Sequence, residues 1–190
     1  MSDSLKLYMV LLGCKPRGRF TEQHDIFFGI AKSLKDLIPE MKIFWPEAKG
    51  QLHIDAWREV TTVDDFSIEI VSKKSESAEP VFDHLFFINL GGYKENEFEE
   101  YHYKILTVAE NLSVAARNAK STAFYQHCSF KRATSHIDDT YGIDVDDIYN
   151  VTDILSKQHK ELYSLKLSKI ESSTEDYLHI GYLKIDKIPF

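Results

Sequence analysis

Histidines spaced two residues from a carboxylate are the residues of this chain whose types and spacing could support chemistry. Glu-x-His and His-x-Asp triplets each occur twice. On a β-strand, residues i and i+2 face the same side, so the imidazole and carboxylate of each triplet would lie together. Such a set can chelate a divalent metal ion or hold an acid–base pair. The candidate binding residues are Glu22, His24, His53, Asp55, Glu100, His102, His136 and Asp138.

A structural interpretation of these triplets stays open. A histidine beside a loop often bonds a backbone carbonyl, and an aspartate at a strand end often caps a turn. Polar clusters with a purely structural role also occur. If the Glu-x-His strand neighbours the His-x-Asp strand, two imidazoles and two carboxylates gather in one place. The sequence by itself assigns no catalytic residue, no cofactor and no metal.

A basic loop follows the first apolar run of the chain. Its three cations are candidates for binding an anion such as phosphate or a carboxylate. The corresponding loop later in the chain, Tyr93–Glu97, is net acidic. No Walker-type or dinucleotide-binding glycine pattern accompanies the basic loop. The alternatives are an exposed hairpin loop, or two oppositely charged loops that meet within the chain or in a homo-oligomer. The candidate anion-binding residues are Lys15, Arg17 and Arg19.

Two further patterns carry less information about chemistry. An acidic stretch surrounds Gly142, but its spacing does not match an EF-hand loop, so we interpret it as a solvated loop. No Gly-x-Ser-x-Gly nucleophile motif is present. The acidic residues are Asp138, Asp139, Asp144, Asp146 and Asp147.

The triplets recur because two long segments of the chain resemble one another. Leu7–Leu34 and Leu85–Leu112 align at a constant offset of 78. The identities include both glycines at the end of the apolar run, Gly13 and Gly91, and both histidines of the Glu-x-His triplets. A second block aligns His53–Asp55 with His136–Asp138, and Val63–Asp65 with Val145–Asp147. The pattern predicts a tandem duplication.

Each copy is predicted to fold as ββαββ. The segment HDIFFGIA is ambiguous alone, but its partner HYKILTVA is rich in β-branched residues, so both are predicted strands. Ser33 and Asp36 are both plausible caps of the first helix, and Asp36 is preferred because it places Pro39 in the first turn; Ser113 is the predicted cap of the second helix. Later strands are expected at 52–60 and 66–71, and at 135–138 and 145–151. Two strands in the tail, 163–170 and 177–185, are expected to form a hairpin.

The predicted fold class is therefore α+β: a tandem duplication of a ββαββ unit packed with pseudo-twofold symmetry, plus a C-terminal β-hairpin. The predicted boundaries are residues 1–72 for the first repeat and 81–155 for the second. Residues 156–190 form a strand extension packed on the repeats. A polar segment links the two copies.

The composition of the chain limits the classes of partner that we expect it to bind. The 190 residues carry a net charge of −7, which disfavours nucleic acid as a partner. No apolar run approaches the roughly 20 residues that a membrane span needs, so we expect no membrane association and no signal peptide. The two cysteines lie at non-equivalent positions without metal-like spacing, which favours a reduced, cytoplasmic setting.

The chain also resembles a known family. The residues that carry the resemblance are the Leu-Gly strand ends, Glu22–Asp25, His53–Trp57 and His136–Asp139. In these features it is similar to the bacterial domain-of-unknown-function family 1543, in a two-copy form. The resemblance implies two copies of one unit in a soluble protein, and it implies no activity. We therefore expect a non-enzymatic module that binds a small ligand or a protein partner; the alternative is a metal-assisted enzyme that uses the repeated His, Asp and Glu residues.

Overall fold

The computed structural model describes residues 4–75, 82–93, 96–127 and 144–188. They form an α+β fold whose strand pairs are antiparallel. The chain divides into two compact units: Met1–Ser77 with Leu155–Phe190, and Ala78–Ile154. The C-terminal segment thus belongs with the first unit. None of the helices in the described ranges is both long and apolar enough to span a membrane.

The strands and helices are numbered in chain order. The strands are β1 (Lys6–Cys14), β2 (Gln23–Ala31), β3 (His53–Val60), β4 (Thr62–Val63), β5 (Phe66–Ser72), β6 (His84–Tyr93), β7 (Glu100–Ala109), β8 (Asp144–Asn150), β9 (Tyr163–Lys169) and β10 (His179–Lys184). The helices are α1 (Ile38–Phe44), α2 (Leu112–His127), α3 (Val151–Ile154) and α4 (Lys157–Leu162).

The first unit is built around β1. Its main sheet has the order β10-β3-β1-β2, so β1 is covered by a strand on each edge. Most of the side chains of this central strand are buried, which accounts for its nearly continuous apolar sequence. Leu12 on β1, Ile54 on β3 and Met41 on α1 pack in one core and are fully buried.

Both ambiguous segments are strands, which confirms the prediction from their β-branched residues. β2 pairs with β1 along its whole length, and β7 pairs with β6 in the same way. In each unit, the strand that holds the histidine of the Glu-x-His triplet therefore lies directly beside the strand that has a glycine near its end.

The preferred caps, Asp36 and Ser113, are wrong, although both helices exist; the alternative for the first helix, Ser33, is the N-cap of the 3-10 turn that leads into α1. A 3-10 turn spans Leu34–Leu37, and α1 begins after it with Pro39 in its first turn, as predicted. Asp36 instead accepts hydrogen bonds from the backbone N–H of Ser33 at 3.1 Å and from its hydroxyl at 2.8 Å. At α2 the cap is Asn111, whose Oδ1 accepts from the N–H of Val114 at 3.1 Å. The free N–H groups at a helix start need such acceptors, and the flanking residues supply them.

The predicted C-terminal hairpin is wrong. β9 pairs with β5 in a second sheet of order β4-β5-β9, whereas β10 pairs with β3 at the edge of the main sheet. The reason is side-chain packing: apolar residues meet across the β5–β9 pair, with Ile68 opposite Leu167 and Ile70 opposite Leu165. Such cross-strand pairs stabilise a sheet, so β9 fills the open edge of β5 rather than pairing with its own neighbour in sequence.

In the second unit, the described strands form a sheet of order β7-β6-β8. β8 pairs with β6, with Asp144 opposite Gly91, just as His53 lies opposite Gly13 in the first unit. Val145–Asp147 thus lies in the strand that corresponds to β3, whereas Val63–Asp65 lies at β4 and the turn after it, so their alignment is wrong. The strand predicted at 145–151 is confirmed as β8, so Asp144, Asp146 and Asp147 lie in a strand and not in the expected solvated loop. The predicted strand at 135–138, with His136 and Asp138, lies outside the described residues.

Candidate metal centre

Gly13 determines where the polar residues of the first unit meet. It lies near the end of β1, with His24 of β2 opposite it on one side and His53 of β3 on the other. Strands two apart in a sheet are about 9.5 Å from each other. The two imidazoles come together because no side chain stands between them. A Cβ atom on Gly13 would lie 2.3 Å from Nε2 of His53 and 2.6 Å from Oδ2 of Asp55.

A β-bulge brings Asp55 to the same place. Leu12 pairs with Ile54 and Leu11 pairs with Ala56, so Asp55 is the extra residue on β3 that no residue of β1 opposes. A bulge re-aims the side chain of its extra residue, and bulges are common beside functional sites. In a regular strand the carboxylate would follow the pleat; here it is directed over Gly13 toward the imidazoles.

The donor atoms of this group lie close together. Nε2 of His53 is 3.0 Å from Oε1 of Glu22 and 3.2 Å from Oδ2 of Asp55, and Nε2 of His24 is 3.2 Å from the same Asp55 oxygen. One donor atom from each of Glu22, His24 and His53 lies within 4.8 Å of the others. We call Glu22, His24, His53 and Asp55 the first cluster.

Two of these atoms are buried and make no hydrogen bond. Within the described ranges, Nε2 of His53 and Oδ2 of Asp55 are inaccessible to water and make no hydrogen bond, although they lie 3.2 Å apart. The His53 side chain is 7% exposed. A buried polar atom without a hydrogen bond costs about 1–3 kcal/mol, so a native fold retains one only for a reason.

The donor set fits a divalent transition-metal ion. Ligands bonded at about 2.0–2.1 Å to a tetrahedral ion lie about 3.3 Å from one another. The three short donor distances in the first cluster, 3.0, 3.2 and 3.2 Å, are close to that value. Imidazole nitrogen and carboxylate oxygen are both ordinary ligands of zinc. Glu22 and His24 are about half exposed, so an ion could enter from that side.

A second buried histidine shows what a structural role looks like in this fold. His159 of α4 accepts a hydrogen bond from the N–H of Ile30 through Nδ1 at 3.4 Å, and its Nε2 lies 3.3 Å from Oε1 of Glu40. Both of its ring nitrogens are thus engaged by the protein. No strand pattern signals His159, because its carboxylate neighbour at i+2, Glu161, lies with it on a helix. His53 differs in that its Nε2 lies within 3.2 Å of two carboxylates, and one of these, Asp55, also reaches the imidazole of His24. This convergence supports a ligand at the first cluster.

The C-terminal tail contributes an aromatic neighbour to the first cluster. The ring of Tyr182 on β10 packs on His53, with centroids 4.5 Å apart and planes at 32°. No local pattern signals this contact, because 129 residues separate the two.

Beside Gly13, burial raises the pKa of the Cys14 thiol, with smaller contributions from the charges of Glu22 and Glu47. That thiol is therefore protonated and packed in the core. The three predicted anion-binding residues, Lys15, Arg17 and Arg19, are exposed on the loop that joins β1 to β2.

The second unit gathers a smaller group, which we call the second cluster: Glu100, His102 and Asp146. Nε2 of His102 lies 3.3 Å from Oδ2 of Asp146 and 4.0 Å from Oε2 of Glu100. One donor atom from each residue lies within 4.8 Å of the others. The sequence predicts Glu100 and His102 as site residues but places Asp146 in a solvated loop. Asp146 reaches the site because its strand pairs with β6 beside Gly91, which the pairing register alone reveals.

Comparison with known proteins finds a family match for one segment and a similar fold for most of the chain. Residues 19–70 match the model of the Domain of Unknown Function (DUF1543) family, and this segment contains the whole first cluster. Among curated proteins none matches the chain. The fold is similar to the crystal structure of a protein, Il1583 from Idiomarina loihiensis, at 18% identity and a TM-score of 0.61, over 95% of this chain and 97% of that one.

Proposed function

Because this chain carries a domain of the DUF1543 family, whose description names no activity, we propose its function from the site: it is a binding module whose ligand is a divalent metal ion. The observation that carries the proposal is the pair of buried atoms in the first cluster that make no hydrogen bond, Nε2 of His53 and Oδ2 of Asp55, with donor atoms of Glu22 and His24 within 3.2 Å of them. A metal ion would satisfy both at once, because imidazole nitrogen and carboxylate oxygen each offer it a lone pair.

Each residue of the first cluster has a definite part in this proposal. His53 and Asp55 are the more buried donors and would hold the ion from inside the fold. His24 and Glu22, on the exposed side, would complete its coordination. Tyr182 would keep the His53 ring in place through its packing. Two imidazole donors favour an ion such as Zn²⁺ over Mg²⁺ or Ca²⁺, which prefer oxygen.

The test is titration of the purified chain with Zn²⁺, followed by calorimetry and by thermal unfolding. Metal that binds only the native state at 100 times its Kd stabilises by about 2.7 kcal/mol. For a chain of this size that raises Tm by roughly 5–11 °C. His53→Ala should abolish most of the shift. The matched control is His179→Ala, which removes a histidine that stacks on Trp57 of the same sheet, outside the cluster. Equal shifts in the two variants would refute a metal at the first cluster.

We further propose that the two units arose by tandem duplication. In each, a strand with a glycine near its end lies between a strand that carries the histidine of a Glu-x-His triplet and a strand that delivers an aspartate. The full ββαββ form of the second copy and a pseudo-twofold packing remain predictions. A cytoplasmic setting and the capacity to form a homo-oligomer belong to the same proposal. They are supported by the two cysteines without metal-like spacing and by the opposite charges of the two hairpin loops.

A metal-assisted enzyme is the second candidate, and the basic loop is the observation that favours it. The loop leaves β1 one residue after Gly13 and returns at Glu22, so Lys15, Arg17 and Arg19 belong to the segment that joins two parts of the first cluster. Zn²⁺ in such a site lowers the pKa of a bound water to about 7 and can polarise an anionic ester. Cations nearby would hold the anionic group of the substrate.

Hydrolysis of a simple phosphate ester, assayed with and without added Zn²⁺, separates the two candidates. Metal-dependent turnover that His53→Ala abolishes, and that Arg17→Ala lowers mainly through a raised KM, would support the enzyme. Tight Zn²⁺ binding without turnover on phosphate or carboxylate esters would support the binding module. Arg17→Ala should leave Zn²⁺ affinity unchanged in either case, because the guanidinium is not a metal ligand.

A further inference from the structure

The second cluster repeats the devices of the first in a different unit of the chain. Gly91 of β6 has His102 of β7 opposite it on one side and β8 on the other. A Cβ atom on Gly91 would lie 2.4 Å from Oδ2 of Asp146, so the glycine again leaves the space that the carboxylate fills. The distance from the imidazole Nε2 to that carboxylate oxygen, 3.3 Å, nearly equals the 3.2 Å of His24 and Asp55.

The same bulge also recurs. Leu90 pairs with Val145 and Asn89 pairs with Asp147, so Asp146 is the extra residue of β8, as Asp55 is of β3. The strands themselves share little sequence: HIDAWREV for β3 and DVDDIYN for β8. A bulge costs ladder pairing, and two strands of such different sequence retain it at the same point beside a glycine. This recurrence favours a ligand of the same kind in each unit over a coincidence of side-chain packing.

A buried, unpaired oxygen lies on the same strand. Oδ1 of Asn89 is inaccessible to water and has no hydrogen-bond partner among the described residues. Asn89 is two residues before Gly91, so it faces the same side of β6. Leu11 holds the matching position in the first unit, where it precedes Gly13. The second unit therefore adds an oxygen acceptor where the first has an apolar side chain.

We propose that the second cluster is a second metal site, with a different preference from the first. This inference rests on the proposed function, because it assigns the same kind of ligand. The second cluster offers one imidazole and two carboxylates, an oxygen-richer set that suits Mn²⁺ better than the first cluster does. It also has no buried donor: His102 is 38% exposed, whereas His53 of the first cluster is 7% exposed, so its ion is held more weakly.

The experiment titrates the full chain with Mn²⁺ alone and with Zn²⁺ alone, in the wild type, His53→Ala and His102→Ala. Free Mn²⁺ is read by its electron paramagnetic resonance signal, and Zn²⁺ by competition with a chromophoric chelator. His102→Ala should weaken the tighter Mn²⁺ site at least 10-fold and leave the tighter Zn²⁺ site unchanged, whereas His53→Ala should do the reverse. His84→Ala, which removes another histidine of the second unit, is the matched control.

The outcomes separate the two proposals. If Zn²⁺ binds and depends on His53 but Mn²⁺ binding is unaffected by His102→Ala, the second site is overturned and the first stands. If His53→Ala removes the tighter site for both metals, the chain has one metal site and the inference again fails. If neither metal binds the wild type, the proposed function fails and takes the second site with it. Circular dichroism of each variant confirms that it is folded.

Discussion

Replacing Gly13 by alanine tests the geometry of the first cluster without removing any donor. The new methyl group would lie 2.3 Å from Nε2 of His53, whereas ordinary contacts begin at 3.4 Å. The imidazole must therefore retreat by about 1 Å, or Asp55 and the backbone must shift by a similar amount. Metal–ligand distances tolerate only about ±0.2 Å, so a displacement of this size removes a ligand.

The expected result is a large loss of Zn²⁺ affinity in Gly13→Ala. Changes that merely misorient a ligand cost about 10–100-fold in metal affinity, and this variant should lose at least that much. Competition with a chromophoric chelator measures the affinity. Thermal unfolding with and without Zn²⁺ measures the linked stabilisation, which should shrink by about 1.4 kcal/mol for each tenfold loss.

Gly29→Ala is the matched control for this prediction. Its methyl group would lie 2.7 Å from Cδ2 of Leu37 and 2.8 Å from the ring of Phe27, so it overpacks the core on the same pair of strands. Overpacking costs about 1–3 kcal/mol, and Gly29→Ala should lower Tm without changing Zn²⁺ affinity. Should Gly13→Ala bind Zn²⁺ as tightly as the wild type, the donor atoms do not converge over Gly13, and the metal site is refuted.

Three further predictions concern the core of the first unit. Burial, and then the charge of Glu59, raise the pKa of Tyr8 to about 12. Because the pKa is higher in the folded than in the unfolded state, the contribution of Tyr8 to stability is complete below pH 10 and is lost as the pH rises toward 12. In urea unfolding, the free energy of unfolding of Tyr8→Phe should therefore decline less than that of the wild type over this pH range. Met41→Ala should cost about 2–5 kcal/mol in urea unfolding, since the side chain is fully buried and leaves a cavity. In a Cys128→Ser background, Cys14 should react with a thiol reagent only at the rate of unfolding, because its thiol is buried and its pKa is raised. Rapid labelling of the native protein would contradict the burial of Cys14 in the core.

Local patterns in the sequence are sufficient to predict several features of the fold. The β-branched residues of HYKILTVA indicate β7, and the matching segment then indicates β2. The i, i+2 spacing alone predicts that His24 shares a face with Glu22, and His53 with Asp55. Each of these features depends on neighbours in sequence, because the period of a strand fixes which side chains share a face.

Long-range pairing decides the rest. Identity aligns His136–Asp138 with His53–Asp55, but the register places Asp144–Asp146 beside Gly91 in that position. Alternating patterns look the same when shifted by two residues, so periodicity cannot select a register. The bulges at Asp55 and Asp146 are equally invisible in sequence, because a bulge is defined by what the opposite strand lacks.

The sequence by itself therefore determined which residues of the first cluster could act as metal ligands and that a glycine lies near the end of each central strand. Tertiary structure alone decided that the ligands and the glycine meet at one place. The two imidazoles of the first cluster come from strands on opposite sides of β1, and they meet only because Gly13 has no side chain to separate them. The tail strands show the same difference between what the sequence predicts and what the tertiary structure decides. β9 and β10 are recognisable as strands from the sequence, but they pair with segments far away in the chain. Pairing partners are selected by how well side chains pack across the whole sheet, and that packing is a property of the complete fold.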